Sequence, residues 1–323
     1  MAVKVLSPGL ATTVQDRGRF GYYDVGIPPG GSLDQYSAEL ANALVGNTRG
    51  EALLECTYMG PTLVTDAATD VAVAGSVQVK VNGEAQPAWT RLSLRPGDEL
   101  GFGLITGGAR FYIAFAGGID VPLVLGSRST YPLGVIGGFQ GRKLEAGDTV
   151  PVGIPAGPMP PGAVIAGRFR PAFGRRQEVR IMLGLYDHRL SDTGLANLTT
   201  AEWKLTPVAD RAGLRYAGPG VEWRERAQPF GAGSDPSNIV DAGYAVGSIQ
   251  IPGGTQPIVL HRDAVSGGGY AMVATVISAD MDLVARAAPG TVTRFIPVDM
   301  ETALTARRER AALLSDAIAS LNG

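Results

Sequence analysis

Glycine and proline interrupt this sequence about once in every five residues, with 45 glycines and 22 prolines among 323 residues. Both residues favour turns and are disfavoured inside helices. Hydrophobic residues make up 45% of the chain, which is ample for packed cores. We therefore predict a mainly β fold, built from many short strands and tight turns with a few short helices.

Individual strands are indicated by two kinds of pattern. Residues 77–81 alternate between apolar and polar side chains and lead into Asn82-Gly83, the strongest short signal for a hairpin turn. The apolar runs at residues 109–116 and Ile258–Leu260 are typical of buried strands.

Helical signals are few. Ser32 and Gln35 have the spacing of a capping box, apolar residues follow at helical spacing, and Gly46 is placed to end the helix. A second helix is predicted for residues 300–321.

The length of the chain exceeds what one hydrophobic core usually supports, so two domains are expected. Residues 152–162 contain four prolines and three glycines, a composition typical of linkers. We predict a first β domain at residues 1–155 and a second at residues 164–323, the second including the C-terminal helix.

Several classes of partner are disfavoured. The formal net charge of -2 builds no broad positive field, so neither nucleic acid nor an anionic membrane is expected as a partner. No apolar run reaches the length of a membrane span, and the first residues lack a signal core, so we expect a cytoplasmic protein. The chain has one cysteine, Cys56, and two distant histidines, His188 and His261, so no metal site is predicted. The sequence also lacks a P-loop, a biotin-attachment lysine and a nucleophile elbow.

Four glycine-rich stretches also carry polar and charged residues. The first, residues 12–34, is a turn before a helix, where backbone amides can bind a carboxylate or carbonyl oxygen. An equally good interpretation is that Asp16 pairs with Arg19 and that Asp34 favours the start of the helix. The second, residues 117–142, contains Arg128 and Arg142. These arginines can clamp an anion, or they can brace loops by binding carbonyl groups.

The third stretch, residues 210–215, places Asp210 beside Arg211 at a turn, which by itself favours a structural role. The fourth, residues 247–270, is the most informative, because a buried strand is followed by Asp263, Ser266, three glycines and Tyr270. Glycines let a backbone approach a ligand closely, and Asp263 can accept a hydrogen bond from an amide N–H. The alternative is a bulge or wide turn in which Asp263 caps loop amides.

These four stretches, in this order, resemble the urea amidolyase carboxyltransferase family, which includes allophanate hydrolase subunit 2, KipA and the C subunit of 5-oxoprolinase. The similarity runs from about Val5 to Val298. The matching residues are Val14-Gln15-Asp16, Gly18-Arg19, Gly21, Asp34, Ala41-Asn42, Leu44-Val45-Gly46-Asn47, Leu54-Glu55, Gly60-Pro61, Ala116-Gly117-Gly118-Ile119, Gly126-Ser127-Arg128-Ser129-Thr130-Tyr131, Gly137-Gly138, Gly141-Arg142, Asp210-Arg211, Gln250-Ile251-Pro252, Gln256-Pro257-Ile258-Val259-Leu260, Asp263 and Gly268-Gly269-Tyr270.

The resemblance implies two cyclophilin-like β-barrel domains. It also implies a partner protein similar to subunit 1, to KipI or to the B subunit of 5-oxoprolinase. The A subunit of 5-oxoprolinase, or a biotin carboxylase and carrier, are implied as further partners. Relatives that carboxylate urea receive carboxybiotin from a separate carrier, whereas relatives that open 5-oxoproline consume ATP and use no biotin.

The resemblance further implies a site that activates an amide or a lactam. Asp263 would accept from the substrate N–H, Arg128 or the glycine amides would stabilise an oxyanion, and Tyr270 would donate a hydrogen bond or relay a proton. The implied substrate-binding residues are Asp34, Arg211, Gln250, Ser266, Gly267, Gly268 and Gly269. Replacing Asp263 with alanine is then expected to abolish activity with little change in melting temperature.

The sequence also departs from the family pattern. Ser266-Gly267 and Ala271-Met272 stand where many relatives have Thr-Thr and Pro-Lys, and residues 231–236 look inserted. A component of an ATP-dependent 5-oxoprolinase is the favoured prediction, because the chain is not fused to biotin domains. A component of a biotin-dependent carboxyltransferase that acts on urea or a related amide, and a KipA-like regulatory binding protein, are the alternatives.

Overall fold

The computed structural model describes residues 1–157 and 162–321 of the chain. These residues form two compact units. Unit 1 consists of Met1–Phe20, Gly30–Phe173 and Ala311–Gly323, and unit 2 consists of Gly21–Pro29 and Gly174–Arg310. The sequence-based domains, 1–155 and 164–323, stay predictions, and residues 158–161 of the predicted linker lie outside the described residues.

Unit 1 is a nine-stranded antiparallel sheet that curls into a half-barrel. Along the main path the strand order is β2-β3-β8-β4-β1-β9, and β5 pairs with β6, β7 and β8. The strands and the helix α1 are β1 (Ala2–Ser7), β2 (Ala11–Gln15), α1 (Gln35–Leu44), β3 (Leu53–Thr57), β4 (Thr62–Thr65), β5 (Thr69–Val81), β6 (Glu84–Gln86), β7 (Arg91–Leu94), β8 (Glu99–Phe115) and β9 (Thr149–Pro151).

Both faces of this sheet are covered, because alternate residues of a strand point to opposite faces. Val71 and Val73 of β5 belong to one hydrophobic core. Ala72 and Ala74, from the same strand, belong to a second core together with Leu40 of α1. The alternation in the β5 sequence therefore places the fully buried helix α1 against the alanine face.

Two local predictions in unit 1 have different outcomes. Asn82 and Gly83 join β5 to β6 with φ values of 51° and 84°, so the predicted hairpin turn is confirmed. The predicted capping box is wrong, because α1 begins at Gln35 and its N-cap is Asp34, whose carboxylate accepts from the Ser37 N–H at 3.1 Å. Ser32 instead precedes the helix, and its N–H donates to the Asp16 carbonyl.

Unit 2 contains a closed barrel with the strand order β10-β17-β14-β15-β12-β11-β18, and a separate two-stranded sheet of β13 and β16. Its elements are β10 (Arg176–Leu183), α2 (Asp192–Thr200), β11 (Trp203–Ala209), β12 (Gly213–Ala217), β13 (Asn238–Gly243), β14 (Ser248–Gln250), β15 (Ile258–Leu260), β16 (Gly267–Tyr270), β17 (Met272–Val276), α3 (Met281–Arg286) and β18 (Val292–Pro297).

Inside the barrel, inward-facing residues such as Val179, Tyr216, Ile249 and Phe295 form one core. A smaller cluster, which contains Tyr244, Leu260, Ala264 and Met272, lies under the loop that follows β15. The final helix, α4 (Met300–Ala319), is confirmed close to its predicted bounds.

The mainly β prediction is confirmed by 37% strand against 19% helix. None of the helices in the described residues is long and apolar enough to cross a membrane.

Candidate functional site

The predicted site residues divide between the two units. Asp34 and Arg128 belong to unit 1, whereas the residues of the third and fourth glycine-rich stretches belong to unit 2.

In unit 2, the loop that leaves β15 runs beside the turn between β11 and β12, because β15 and β12 are paired in the barrel. The His261 N–H donates to the Ala212 carbonyl at 2.9 Å, and the Asp263 N–H donates to the Arg211 carbonyl at 3.0 Å. The turn is closed by Asp210, whose Oδ1 accepts from the N–H groups of Ala212 and Gly213. The barrel thus brings together two stretches that lie far apart in the sequence.

Asp263 and Arg211 form a bidentate ion pair at this position. Arg211 Nε donates to Asp263 Oδ2 at 2.7 Å, and its Nη2 donates to Oδ1 at 3.0 Å. The Asp263 side chain is 5% exposed and that of Arg211 is 15% exposed. Removing one partner of a buried pair leaves the other charge uncompensated. We therefore replace the sequence-based expectation of an unchanged melting temperature, and expect loss of Asp263 to destabilise the fold.

A carboxylate has about four lone-pair positions, so this pair leaves capacity on Asp263 for a further donor. The role predicted for Asp263, accepting from a substrate amide, stays a prediction. The position of Arg211 at a turn favoured a structural role in the sequence analysis, and in the structure Arg211 has a structural partner, Asp263.

The glycine strand β16 is held by a buried tyrosine. The Tyr244 hydroxyl accepts from the Tyr270 N–H at 2.8 Å and donates to the Tyr270 carbonyl at 2.9 Å, while the Tyr244 N–H donates to the Ser266 carbonyl. Tyr244 is 3% exposed, and burial is the main cause that raises its pKa. A two-stranded sheet is marginally stable alone, so this contact fixes the position of β16.

The ring of Tyr244 also leaves little room for a side chain at Gly268. A Cβ at this position would lie 3.1 Å from Tyr244 Cε2. Tyr270 itself is 43% exposed, so part of this residue is accessible to a ligand. The structure therefore brings Ser266, Gly267, Gly268, Gly269 and Tyr270 onto one segment with an accessible end.

Gln250 lies elsewhere in the barrel wall, on β14, where it is 6% exposed and opposite Met272. The sulfur of Met272 accepts from the Ser248 hydroxyl at 2.8 Å. The buried Met272 supplies no positive charge to a ligand.

Sequence reasoning missed Tyr186 and Arg189. The Tyr186 N–H donates to the Met272 carbonyl, and the Arg189 guanidinium lies 4.5 Å from the centre of the Tyr186 ring. Arg189 Nη1 donates to the carbonyl of Asn238, the residue that pairs with Tyr270 across β13 and β16. No motif marks these residues, because the segment joins the site only through backbone pairing.

In unit 1, Asp16 organises the loop that contains Arg128. Its carboxylate accepts from the N–H groups of Gly18 and Arg128 and from the hydroxyls of Ser127 and Ser129. The Arg128 side chain donates to the Val121 carbonyl at 2.8 Å and to Asp120 at 3.2 Å.

Asp34, the N-cap of α1, is 1% exposed, and its Oδ2 accepts from the Ser37 hydroxyl at 2.6 Å. Both Asp34 and Arg128 thus have structural contacts, and their predicted ligand roles stay predictions.

A pocket of about 420 Å³ opens within the second glycine-rich stretch. Its walls include Val121, Val124, Val135, Phe139 and Gln140. Val135 and Gln140 have φ values of 53° and 57°, a left-handed conformation that is rare for a β-branched residue such as valine. Strained backbone of this kind concentrates at functional sites.

Arg142 does not serve this pocket as a free anion clamp. It donates to both carboxylate oxygens of Asp148, at 2.8 Å and 2.9 Å, and this contact is the main cause that raises the pKa of Arg142 and lowers that of Asp148. The structure favours the loop-bracing interpretation for Arg142.

Among the described residues, no group of three or more His, Cys, Asp or Glu side chains is placed to hold a metal ion. Cys56 is fully buried, and burial raises the pKa of its thiol.

The chain thus combines a half-barrel sheet in unit 1 with a closed barrel in unit 2, and both units have polar loops rich in glycine. A family model described as "Carboxyltransferase domain, subdomain A and B" matches residues 25–297. The chain belongs to that family, and the family recognised from the sequence is confirmed.

Named relatives include two kinds of enzyme component. The chain is 32% identical to the C subunit of the 5-oxoprolinase of Escherichia coli over 311 residues, which cover 95% of each protein. It is 34% identical to "Urea amidolyase" of Lachancea kluyveri over 315 residues, which cover 94% of this chain and 17% of the relative. The chain thus spans about a fifth of the length of the urea amidolyases it matches.

Solved structures agree with this placement. The crystal structure of the K. lactis urea amidolyase has a TM-score of 0.92 and 31% identity, covering 98% of this chain and 20% of that chain. The crystal structure of TTHA0988 has a TM-score of 0.79 and 32% identity, covering 91% of this chain and 55% of that chain.

Proposed function

We propose that this chain is a component of an ATP-dependent 5-oxoprolinase, which opens the lactam ring of 5-oxoproline to give glutamate. Its proposed partner is a protein similar to subunit 1, to KipI or to the B subunit of 5-oxoprolinase. One observation carries the proposal. The matched region makes up 95% of the C subunit of the E. coli 5-oxoprolinase, so whatever that relative contributes resides in the region shared with this chain. In the urea amidolyase of L. kluyveri the matched region is 17% of the protein.

The proposal assigns the chemistry to groups of the unit 2 site. Water must add to the ring carbonyl, the C–N bond must break and the ring nitrogen must take a proton, while ATP and a second water are converted to ADP and phosphate. An amide carbonyl is a weak electrophile, so donors that stabilise the developing oxyanion accelerate the addition. Among the backbone amides of Gly267, Gly268 and Gly269, those that face away from β13 are proposed for that role, and the Tyr270 hydroxyl is proposed to give the proton to nitrogen.

Reconstitution tests the proposal. The purified chain, a partner of the subunit 1 type, and both together are incubated with 5-oxoproline and ATP, and glutamate is measured. We expect glutamate only from the combined proteins, with one ADP released for each ring opened. Ring opening by this chain alone would contradict its role as one part of an assembly, and no glutamate from any combination of known partner types would contradict the reaction.

A second candidate is a biotin-dependent carboxyltransferase that carboxylates urea or a related amide, with carboxybiotin delivered by a separate carrier. It is supported by the description of the family and by a TM-score of 0.92 to the urea carboxylase of Kluyveromyces lactis. This candidate requires biotin, whereas the first does not. Avidin, which sequesters biotin, therefore separates them.

A further inference from the structure

Several arginines of unit 2 have no acidic partner among the residues the structure describes, and backbone pairing brings two of them, Arg189 and Arg226, into one region. Arg189 ends the 3-10 turn Asp187–Arg189, and Arg226 follows the segment that runs beside it. These segments are joined because Leu190 bridges to Trp223 and the Arg224 N–H donates to the Arg189 carbonyl at 2.8 Å. The backbone pairing thus brings two like charges into the same region.

Arg189 and Arg226 differ from the neighbouring Arg224, which has an acidic partner. Arg224, two residues before Arg226, pairs with Asp192 at 2.7 Å. Arg189 and Arg226 form no ion pair within residues 1–157 and 162–321, and the Nε atom of each is buried without a hydrogen-bond partner in that part of the chain. Both arginines are half-buried, and a partly desolvated charge without a counter-ion is costly, so an anion that accepts from their outer N–H groups would be stabilised.

The position of Arg189 is fixed by its other contacts. Its guanidinium stacks on the Tyr186 ring, and Nη1 donates to the Asn238 carbonyl at 3.2 Å. Because Asn238 pairs with Tyr270, an anion bound here would lie beside the end of β16. Burial, and then the positive charge of Arg226, lower the pKa of Arg189, which is the effect expected where a counter-ion is missing.

We propose that Arg189 and Arg226 form a binding site for a small carboxylate anion, next to Tyr270. The identity of this carboxylate rests on the proposed function, in which it is the carboxylate of the substrate 5-oxoproline. Two arginines bind a carboxylate through charge-assisted hydrogen bonds and so orient the attached lactam ring toward β16.

Calorimetric titration of the full chain with its reconstituted partner tests the site. The probes are 5-oxoproline, 2-pyrrolidinone (the same lactam without the carboxylate), glutarate and inorganic phosphate. Arg189→Gln and Arg226→Gln should each weaken 5-oxoproline binding by tenfold or more and leave 2-pyrrolidinone binding unchanged. Arg226→Lys should retain more affinity than Arg226→Gln, because it keeps the charge. Arg294→Gln, which removes an exposed partner of Glu178, is the matched control and should bind as wild type.

The possible outcomes distinguish failure of the anion site from failure of the proposed reaction. The melting temperature of Arg226→Gln should equal or exceed that of wild type, since it removes one of two like charges, whereas Arg189→Gln also loses the bond to the Asn238 carbonyl and the contact with the Tyr186 ring. Unchanged 5-oxoproline affinity in both variants would overturn the anion site and leave the proposed reaction standing. Binding of glutarate or phosphate that depends on both arginines, with no binding of 5-oxoproline, would support the site and overturn the proposed substrate. Failure of every anion to bind the wild-type assembly would overturn the site.

Discussion

The Arg211–Asp263 pair provides a quantitative prediction for Asp263→Ala. Both residues are nearly buried, and two hydrogen bonds of 2.7 Å and 3.0 Å join them. Breaking a buried ion pair by removing one partner costs roughly 3–5 kcal/mol. Water reaches Arg211, which is 15% exposed, so we expect the lower end, about 3 kcal/mol. For a chain of this size that corresponds to a fall in melting temperature of roughly 4 °C.

The assay is thermal denaturation combined with a double-mutant cycle. Asp263→Ala, Arg211→Met and the double variant are compared with Asp241→Ala, a control at an exposed aspartate on β13. The double variant should be more stable than the sum of the single effects, because it leaves no unpaired charge. An Asp263→Ala melting temperature within about 1 °C of wild type, or strictly additive effects, would refute this reasoning.

The same cycle separates structure from catalysis. If Asp263 acts only by holding the loop, the double variant should recover much of the activity along with the stability. If Asp263 also accepts from the substrate N–H, the double variant should fold, but its turnover rate should remain about 10²-fold or more below that of wild type.

Three further predictions follow from other contacts. Tyr244→Phe removes both hydrogen bonds to the Tyr270 backbone, so hydrogen exchange of the Tyr270 amide should accelerate and KM should rise. The barrel should melt as in wild type. Unchanged exchange would show that the strand is held by other contacts. Asp148→Asn should cost about 1–2 kcal/mol at neutral pH by removing the charged partner of Arg142. Because the folded-state pKa of Asp148 is lowered, that cost should disappear as the pH falls through this pKa, and a cost independent of pH would contradict the ion pair. Dialysis against EDTA should leave the melting temperature unchanged, since the single thiol, on Cys56, is buried in its neutral form, and a large fall would reveal a structural metal.

The local structure that was predictable from the sequence depends on short-range patterns. The Asn82-Gly83 turn, the alternation in β5 and the glycine after α1 all act within a few residues, and each is found in the structure. The start of α1 was not predictable in the same way. Ser32 is bound to Asp16 in the preceding turn, and this tertiary contact moves the cap to Asp34.

The candidate site was only partly predictable, because its contacts join distant segments. Asp263 stands out in the sequence for its place between a buried strand and three glycines. Its partner Arg211 is 52 residues away and meets it only because β12 and β15 are neighbours in the barrel. Arg189 and Arg226 lie in no motif, and their proximity follows from the bridge between Leu190 and Trp223.

The most direct test of the central claim is to measure turnover by the reconstituted assembly in the presence of avidin. ADP release and product formation are followed with 5-oxoproline and, separately, with urea, using ¹⁴C-bicarbonate to label any carboxylated product. Our account predicts ATP-dependent conversion of 5-oxoproline to unlabelled glutamate at a rate that avidin does not change. Avidin-sensitive incorporation of ¹⁴C into urea or another amide, without opening of 5-oxoproline, would contradict it and would identify the chain as part of a carboxyltransferase.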